Sequence, residues 1–173
     1  MKANEASDIV LASELEDLLR ELIVCYEQLY SLTKLTMGAM RDADTGKLST
    51  CVGQQNQLVQ RVAEAEKRRI RVVGSLAERY GSPARTQTTV TWLAERLGGE
   101  AGQRLRVLSR ALKTLLERVH SANASTHAAA DMLARHMEGI VRRIAGELRH
   151  AGLYGRQGAV AGGAVRSALN IRH

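Results

Sequence analysis

The amino-acid sequence predicts an all-α fold: an elongated antiparallel helical hairpin or bundle with coiled-coil-like seams and a flexible C-terminal tail. The 173-residue chain has one proline and no phenylalanine, and 3% of its residues are aromatic. β-Sandwiches and barrels normally draw on aromatic and β-branched residues. Leucine recurs at alternating spacings of three and four, the pattern of helices that pack along their length. The length corresponds to one domain, which we place at residues 1–151 and follow with a tail at 152–173.

The first predicted helix covers residues 8–42, which corresponds to about 50 Å. Ser7 or Asp8 is a suitable N-cap, and acidic residues favour the early turns of a helix. Its apolar seam is Leu11, Leu15, Leu18, Leu22, Cys25, Leu29, Leu32 and Thr36. The polar stretch 42–46 then supplies a break and a new N-cap.

A second helix is predicted at residues 47–80, with a less regular seam that includes Leu58, Val72 and Leu76. It ends at Gly81 and Pro83, because glycine and proline together stop a helix. A short third helix at 88–97 begins near Thr88 or Thr89 and closes at two consecutive glycines.

The fourth predicted helix, residues 100–151, has the most regular seam of the chain. The seam is Leu105, Leu108, Leu112, Leu115, Val119, Ala122, Thr126, Ala129, Leu133, His136 and Ile140, and it drifts to Ile144 and Leu148. Residues 121–126 are poor in good helix formers, which leaves a kink or turn as the alternative to the continuous helix that we favour. The tail at 152–173 contains five glycines among apolar residues at near-helical spacing.

Charge is unevenly distributed along the chain. The net charge is +7, yet the first 50 residues carry nine acidic and five basic groups. This asymmetry favours packing of an acidic first helix against basic later ones. Cys25 and Cys51 are isolated, and the N-terminus lacks an apolar signal sequence. We therefore expect a soluble cytoplasmic protein with reduced thiols and no membrane insertion.

Enzyme activity is not expected from the motifs. Two Glu-x-x-His pairs, Glu117/His120 and Glu147/His150, resemble ligands of di-iron helical bundles. In a continuous helix they lie about 45 Å apart, too far to share a metal. No nucleophile elbow, zinc-protease motif or phosphate loop occurs. The sequence predicts no catalysis, no metal and no cofactor.

Specific nucleic-acid binding is likewise not expected. The basic runs 67–71 and 104–118 could contact phosphates, but acidic residues at helical spacing accompany the first run. Aromatic residues for base stacking are nearly absent.

Three features that span most of the chain resemble the FlgN family of flagellar type III export chaperones. The first is the leucine seam LEDLLRELIVCYEQLYSLTKL, and the second is LSTCVGQQNQLVQRVAEAEKRR, with its Q-x-x-L and closing E-x-x-R. The third and most specific is Leu153-Tyr154-Gly155-Arg156-Gln157-Gly158, which resembles the family's Y-G-x-x-G motif ahead of a small-residue tail. The family's L-N-x-x-N pattern is kept at Asn123, whereas His120 replaces the first Asn.

The resemblance implies a cytoplasmic chaperone that binds the C-terminal helical segments of the hook–filament junction proteins FlgK and FlgL. It would prevent premature assembly and deliver them to the export-gate protein FlhA. Tyr154, with Gly155 and Gly158, would dock on the gate; the alternative for Tyr154 is a C-cap aromatic that covers the end of its own hairpin. The substrate surface would comprise Leu133, Ile140, Ile144, Leu148, Val160, Val165, Leu169 and Ile171.

A generic coiled-coil scaffold or regulator with an unrelated protein partner is the main alternative, since heptad seams are common to many helical proteins. Part of the apolar seam would remain available in either case, and a homodimer is compatible with both.

Overall fold

The computed structural model describes residues 2–81 and 89–150, which form four α-helices and no strand. The helices are α1 (Lys2–Arg41), α2 (Thr45–Arg79), α3 (Val90–Leu97) and α4 (Gly99–His150). The prediction of an all-α fold with packed hairpins is confirmed. The helix α1 begins before the predicted residue 8, because nothing in the preceding stretch breaks a helix. The predicted tail at 152–173 lies outside the described residues.

The helices α1 and α2 form an antiparallel hairpin. Arg79 Nη1 lies 2.8 Å from Asp8 Oδ1, and Arg68 Nη2 lies 2.7 Å from Glu21 Oε2. Nearer the turn, Gln55 Nε2 donates to Thr36 Oγ1 at 3.3 Å. The α2 residue number falls as the α1 number rises, as an antiparallel pair requires.

The helix α4, by contrast, runs parallel to α1. Arg104 contacts Glu16, the Arg118 guanidinium lies over the Tyr30 ring, and Asn123 meets Thr33. Each pair is separated by 88 to 90 residues. The constant separation places the two helices side by side in the same direction, with α2 antiparallel to both.

The core contains leucine and valine residues from all four helices. Its fully buried side chains include Leu15, Leu22, Leu76, Leu93 and Leu105. The buried seam residues on α1 and α4 recur at the predicted alternation of three and four. Burial of each such side chain contributes about 1.5–3 kcal/mol, so this core is the main source of stability.

Local capping fixes the helix ends. Asp44 accepts a hydrogen bond from the backbone N–H of Lys47 at 2.9 Å, and this bond is the main cause that lowers the pKa of the Asp44 carboxyl. Thr89 caps α3 in the same way through the N–H of Trp92. Gly98 and Gly99 both adopt positive φ at the corner between α3 and α4.

The backbones of α3 and α4 approach each other closely at the corner between the two helices. Gly102 lies in the first turn of α4, directly against the carbonyl oxygen of Ala94 in α3. A Cβ on residue 102 would overlap that oxygen. Glycine is therefore required for this packing.

The stretch 121–126 is helical throughout, so α4 is continuous where the sequence left a kink as an alternative. Ser125 and Thr126 donate their hydroxyl protons to the backbone carbonyls four residues earlier, which satisfies these side chains within the helix.

The chain separates into two compact units, residues 1–127 and a second unit that begins at Ala128. The described part of the second unit is the helical stretch 128–150.

Candidate partner-binding face

The second unit exposes a row of large apolar side chains. No residue of 128–148 is buried, and Leu133 and Ile144 are 45% and 54% exposed. The first unit differs sharply, since Leu105, Leu112, Leu115 and Val119 on the same helix are buried. The seam pattern thus continues along α4 while its burial ends after Val119.

These side chains occupy one face of the helix. At 3.6 residues per turn, the predicted residues Leu133, Ile140, Ile144 and Leu148 fall within a single arc of roughly 100°. The first three are exposed and Leu148 is half-buried. The structure therefore brings together all four of the predicted substrate residues that it describes.

Two further residues, Met137 and Val141, lie on the same arc and are exposed. The sequence-based prediction missed Met137 and Val141 because it considered only the seam, which takes one residue from each helical turn. Their spacing of four and eight residues from Leu133 was the available signal, since a helix with a broad apolar face carries additional apolar residues beside the seam. We call the six residues the α4 face: Leu133, Met137, Ile140, Val141, Ile144 and Leu148.

Seven of the predicted site residues lie outside the described residues. They are Tyr154, Gly155 and Gly158 of the expected gate-docking motif, and Val160, Val165, Leu169 and Ile171 of the expected substrate surface. Their roles stay predictions.

Charged residues border the α4 face. Arg143 and Glu147 lie along one edge, while Glu138 lies beyond the other edge and accepts from Arg142 at 3.1 Å. Both sides of the face therefore carry an acidic and a basic side chain.

A second apolar surface lies between α1 and α2. It is an open groove of about 560 Å³ in which Leu35 is 60% exposed and Val24 is about half exposed. The lining residues are Val24, Glu27, Gln28, Ser31, Leu32, Leu35, Gln54, Gln57, Leu58 and Arg61. We call this surface the α1–α2 groove. No sequence argument singled it out.

Several of the basic side chains that could contact nucleic-acid phosphates form ion pairs with acidic residues of this chain instead. Arg68 pairs with Glu21, Arg69 with Glu66, and Arg104 with Glu16. Glu16 is 5% exposed and accepts from Arg104 Nε with both carboxylate oxygens, at 3.0 and 3.1 Å. Arg68 and Arg104 thus link α2 and α4 to α1, whereas the Arg69 pair lies within α2.

Tyr30 lies between two cations on the α1–α4 surface. The Lys34 ammonium and the Arg118 guanidinium are each 4.5 Å from its ring centroid. Hydrogen bonding to Arg118, and next to Lys34, lowers the pKa of the Tyr30 hydroxyl. Beside it, Thr33 Oγ1 lies 3.0 Å from Asn123 Oδ1. The Tyr30–Arg118 and Thr33–Asn123 contacts fix the register of α4 against α1.

Within residues 2–81 and 89–150, His, Cys, Asp and Glu side chains nowhere gather in the groups of three or more that hold a metal ion. The same residues include no helix with the length and hydropathy needed to cross a bilayer. What the described surface offers is two apolar areas suited to helical partners.

A comparison with family models matches residues 1–162 to the family described as FlgN protein. No curated protein and no solved structure matches the chain.

Proposed function

The chain belongs to the FlgN family of flagellar export chaperones, and from this premise we propose that it binds the C-terminal helical segments of the junction proteins FlgK and FlgL on its α4 face. It holds these clients in the cytoplasm, prevents their premature assembly and delivers them to the export gate. Its role is non-catalytic.

The observation that carries the proposal is the exposure of the α4 face on a well-formed helix. A surface helix normally turns such residues to a core, and a contiguous exposed apolar area marks an interaction site. Full burial of a leucine, isoleucine or methionine contributes about 1.5–3 kcal/mol. Five of the six residues are 38% to 61% exposed, so much of that contribution is still available to a partner. Six adjacent residues therefore form a sizeable binding surface.

The shape and chemistry of the face favour a helical client. Apolar residues at spacings of four and three accept a second amphipathic helix along their length, as in other helix-in-groove complexes. Met137 adds an adaptable side chain that can repack against more than one client sequence. This supports a chaperone that serves two different junction proteins.

The gate-docking part of the proposal rests on the family resemblance of the Y-G-x-x-G motif. We assign Tyr154, Gly155 and Gly158 to contact with FlhA, and Val160, Val165, Leu169 and Ile171 to an extension of the client surface. Separate residues for client and gate allow both to be bound during delivery.

The test is binding of fluorescent C-terminal segments of FlgK and FlgL to the full-length chain. Leu133→Glu and Ile144→Glu should each weaken binding by about tenfold or more, because a carboxylate must be desolvated in the interface. Val107→Glu is the matched control, since Val107 lies on the same helix, is 61% exposed and lies outside the α4 face. Its affinity should stay within about twofold of wild type.

The proposal fails if wild-type protein forms no complex with either segment at micromolar concentration, or if Val107→Glu weakens binding as much as Leu133→Glu. The first outcome, with normal helicity by circular dichroism, would favour a coiled-coil scaffold with another partner. Glutamate substitutions at Val165 and Leu169 test the tail residues in the same assay.

A further inference from the structure

The α4 face has the same residue spacing in both directions along the helix. Its six members follow one another at intervals of 4, 3, 1, 3 and 4 residues. About the midpoint between Ile140 and Val141, Leu133 is therefore the mirror position of Leu148. Contact with an unrelated helix places no such condition on the face.

Mirror spacing is the condition for an antiparallel contact between two copies of one helix. With a two-fold axis at the midpoint, each residue lies level with its mirror position on the second copy. Leu133 then lies level with Leu148 of the second copy, and Met137 lies level with Ile144. Residues 140 and 141 lie beside their own counterparts. Each apolar residue of the face therefore meets another apolar residue of the same face.

The edges of the face are compatible with this pairing. An antiparallel two-fold brings each edge against the same edge of the second copy. Glu147 and His136 share one edge, and pairing places Glu147 within two positions, about 3 Å along the axis, of His136 of the second copy. The carboxylate can accept a hydrogen bond from that imidazole, and symmetry supplies the bond twice. On the opposite edge the residues next to the face are Ala134 and Ala145, so pairing buries no charge there.

We propose that, in the absence of client, two copies of this chain pair antiparallel through their α4 faces about the midpoint of Ile140 and Val141. The paired stretches, 133–148 in each copy, lie wholly within the second unit. The inference rests on the proposed function in one respect: pairing covers the face that we assign to clients, so self-association and client binding exclude each other. Six apolar residues per copy are fewer than the roughly 20–30 residues a side of a standard interface, so the dimer is weak and a client can displace it.

The first test is sedimentation velocity of the full-length chain from about 1 to 200 µM, a range that spans the affinities of transient contacts. Wild type should convert from monomer to dimer and form nothing larger, because an isologous contact closes on itself. Ile140→Glu should weaken dimerisation by about a hundredfold, since symmetry places one carboxylate from each copy in the contact and each costs about tenfold.

Leu35→Glu is the matched control for sedimentation. Leu35 is an apolar residue of the α1–α2 groove, is 60% exposed and lies outside the α4 face. This variant should dimerise as wild type does. A wild-type monomer at every concentration, open-ended association of wild type, or loss of the dimer in Leu35→Glu would each overturn the proposal.

The second test identifies the contact and its direction by disulfide cross-linking. Ile140→Cys should cross-link with itself, because the two copies of residue 140 lie side by side at the two-fold axis. Leu133→Cys should not, since its two copies lie fifteen positions, about 22 Å, apart along the axis. An equal mixture of Leu133→Cys and Leu148→Cys should cross-link, and wild type controls for the native cysteines, which are buried. Cross-linking of Leu133→Cys with itself would show parallel pairing and overturn the proposal.

The third test adds the FlgK C-terminal segment to the dimer, which separates failure of this inference from failure of the proposed function. The segment should dissociate the dimer into complexes of one chain with one segment and reduce cross-linking of Ile140→Cys. A segment that binds the intact dimer would overturn the shared use of the face. Client capture by a chain that stays monomeric would refute self-pairing and retain the chaperone role, whereas a dimer that captures no client would refute the chaperone role and retain self-pairing.

Discussion

Gly102→Ala is expected to destabilise the protein although alanine is the better helix former. The added Cβ would overlap the carbonyl oxygen of Ala94, a backbone atom of a buried residue. That carbonyl also accepts the N–H of Gly98 at 3.2 Å, so it cannot turn away without breaking the cap of α3. The corner must therefore open or distort.

The magnitude follows from two opposing contributions. Overpacking of this kind costs about 1–3 kcal/mol of unfolding free energy. Replacing glycine by alanine in a helix interior returns up to about 1 kcal/mol, and less in the first turn, where residue 102 lies. We expect a net loss of about 1–2 kcal/mol, which lowers Tm by roughly 2–8 °C in a chain of this size.

The assay is urea and thermal unfolding followed by circular dichroism at 222 nm, with Gly53→Ala as the matched control. Gly53 lies within α2 and has no heavy atom within 4 Å of its would-be Cβ. That variant should gain about 0.5–1 kcal/mol. Equal stabilisation by both substitutions would refute the close approach of α3 and α4.

Three further outcomes are expected. Glu16→Gln should cost about 1 kcal/mol of unfolding free energy in urea titrations, because the buried group loses its charged bonds with the half-exposed Arg104 and Arg20. An unchanged midpoint would contradict a stabilising role for these ion pairs. Burial, and then the hydrogen bond donated to Asp8, raise the pKa of Tyr80, so its contribution to stability is full below the unfolded value of 10.0 and declines as pH rises through the folded value. The stability difference between wild type and Tyr80→Phe should therefore shrink above pH 10, and a difference that stays constant would contradict the raised pKa. Tyr154→Ala should retain client binding and weaken capture by immobilised FlhA, and loss of both together would indicate a structural tyrosine.

Much of the fold was predictable because a single sequence carries helical periodicity directly. The seams of α1 and α4, the cap at Asp44 and the double glycine before α4 all lie where local physics places them. The partners across helices were not predictable. The sequence of one helix does not determine which residues of another helix will face it. The contacts of Glu16 with Arg104 and of Tyr30 with Arg118 were therefore visible only in the structure.

The candidate site was predictable in part for the same reason. The apolar spacing of Leu133, Ile140, Ile144 and Leu148 was visible, but the seam looks alike where it is buried at Leu105 and where it is exposed. Burial depends on what packs against the helix, and that is a property of the whole molecule. The α1–α2 groove is formed by two helices and has no signature within either of them.

The uniform separation of 88 to 90 residues between α1 and its neighbours on α4 has a consequence for synthesis. The hairpin of α1 and α2 closes through a short turn and can form as soon as residue 79 has left the ribosome, whereas the α1–α4 contacts must wait until residues 104 to 123 have followed. Until then the carboxylate of Glu16 has Arg20, four residues along the same helix, as a cationic partner, and it is buried only when Arg104 and the rest of α4 pack against α1. The nascent hairpin therefore carries Glu16 with one cationic partner from its own helix, and burial of the pair is completed only when α4 supplies the second.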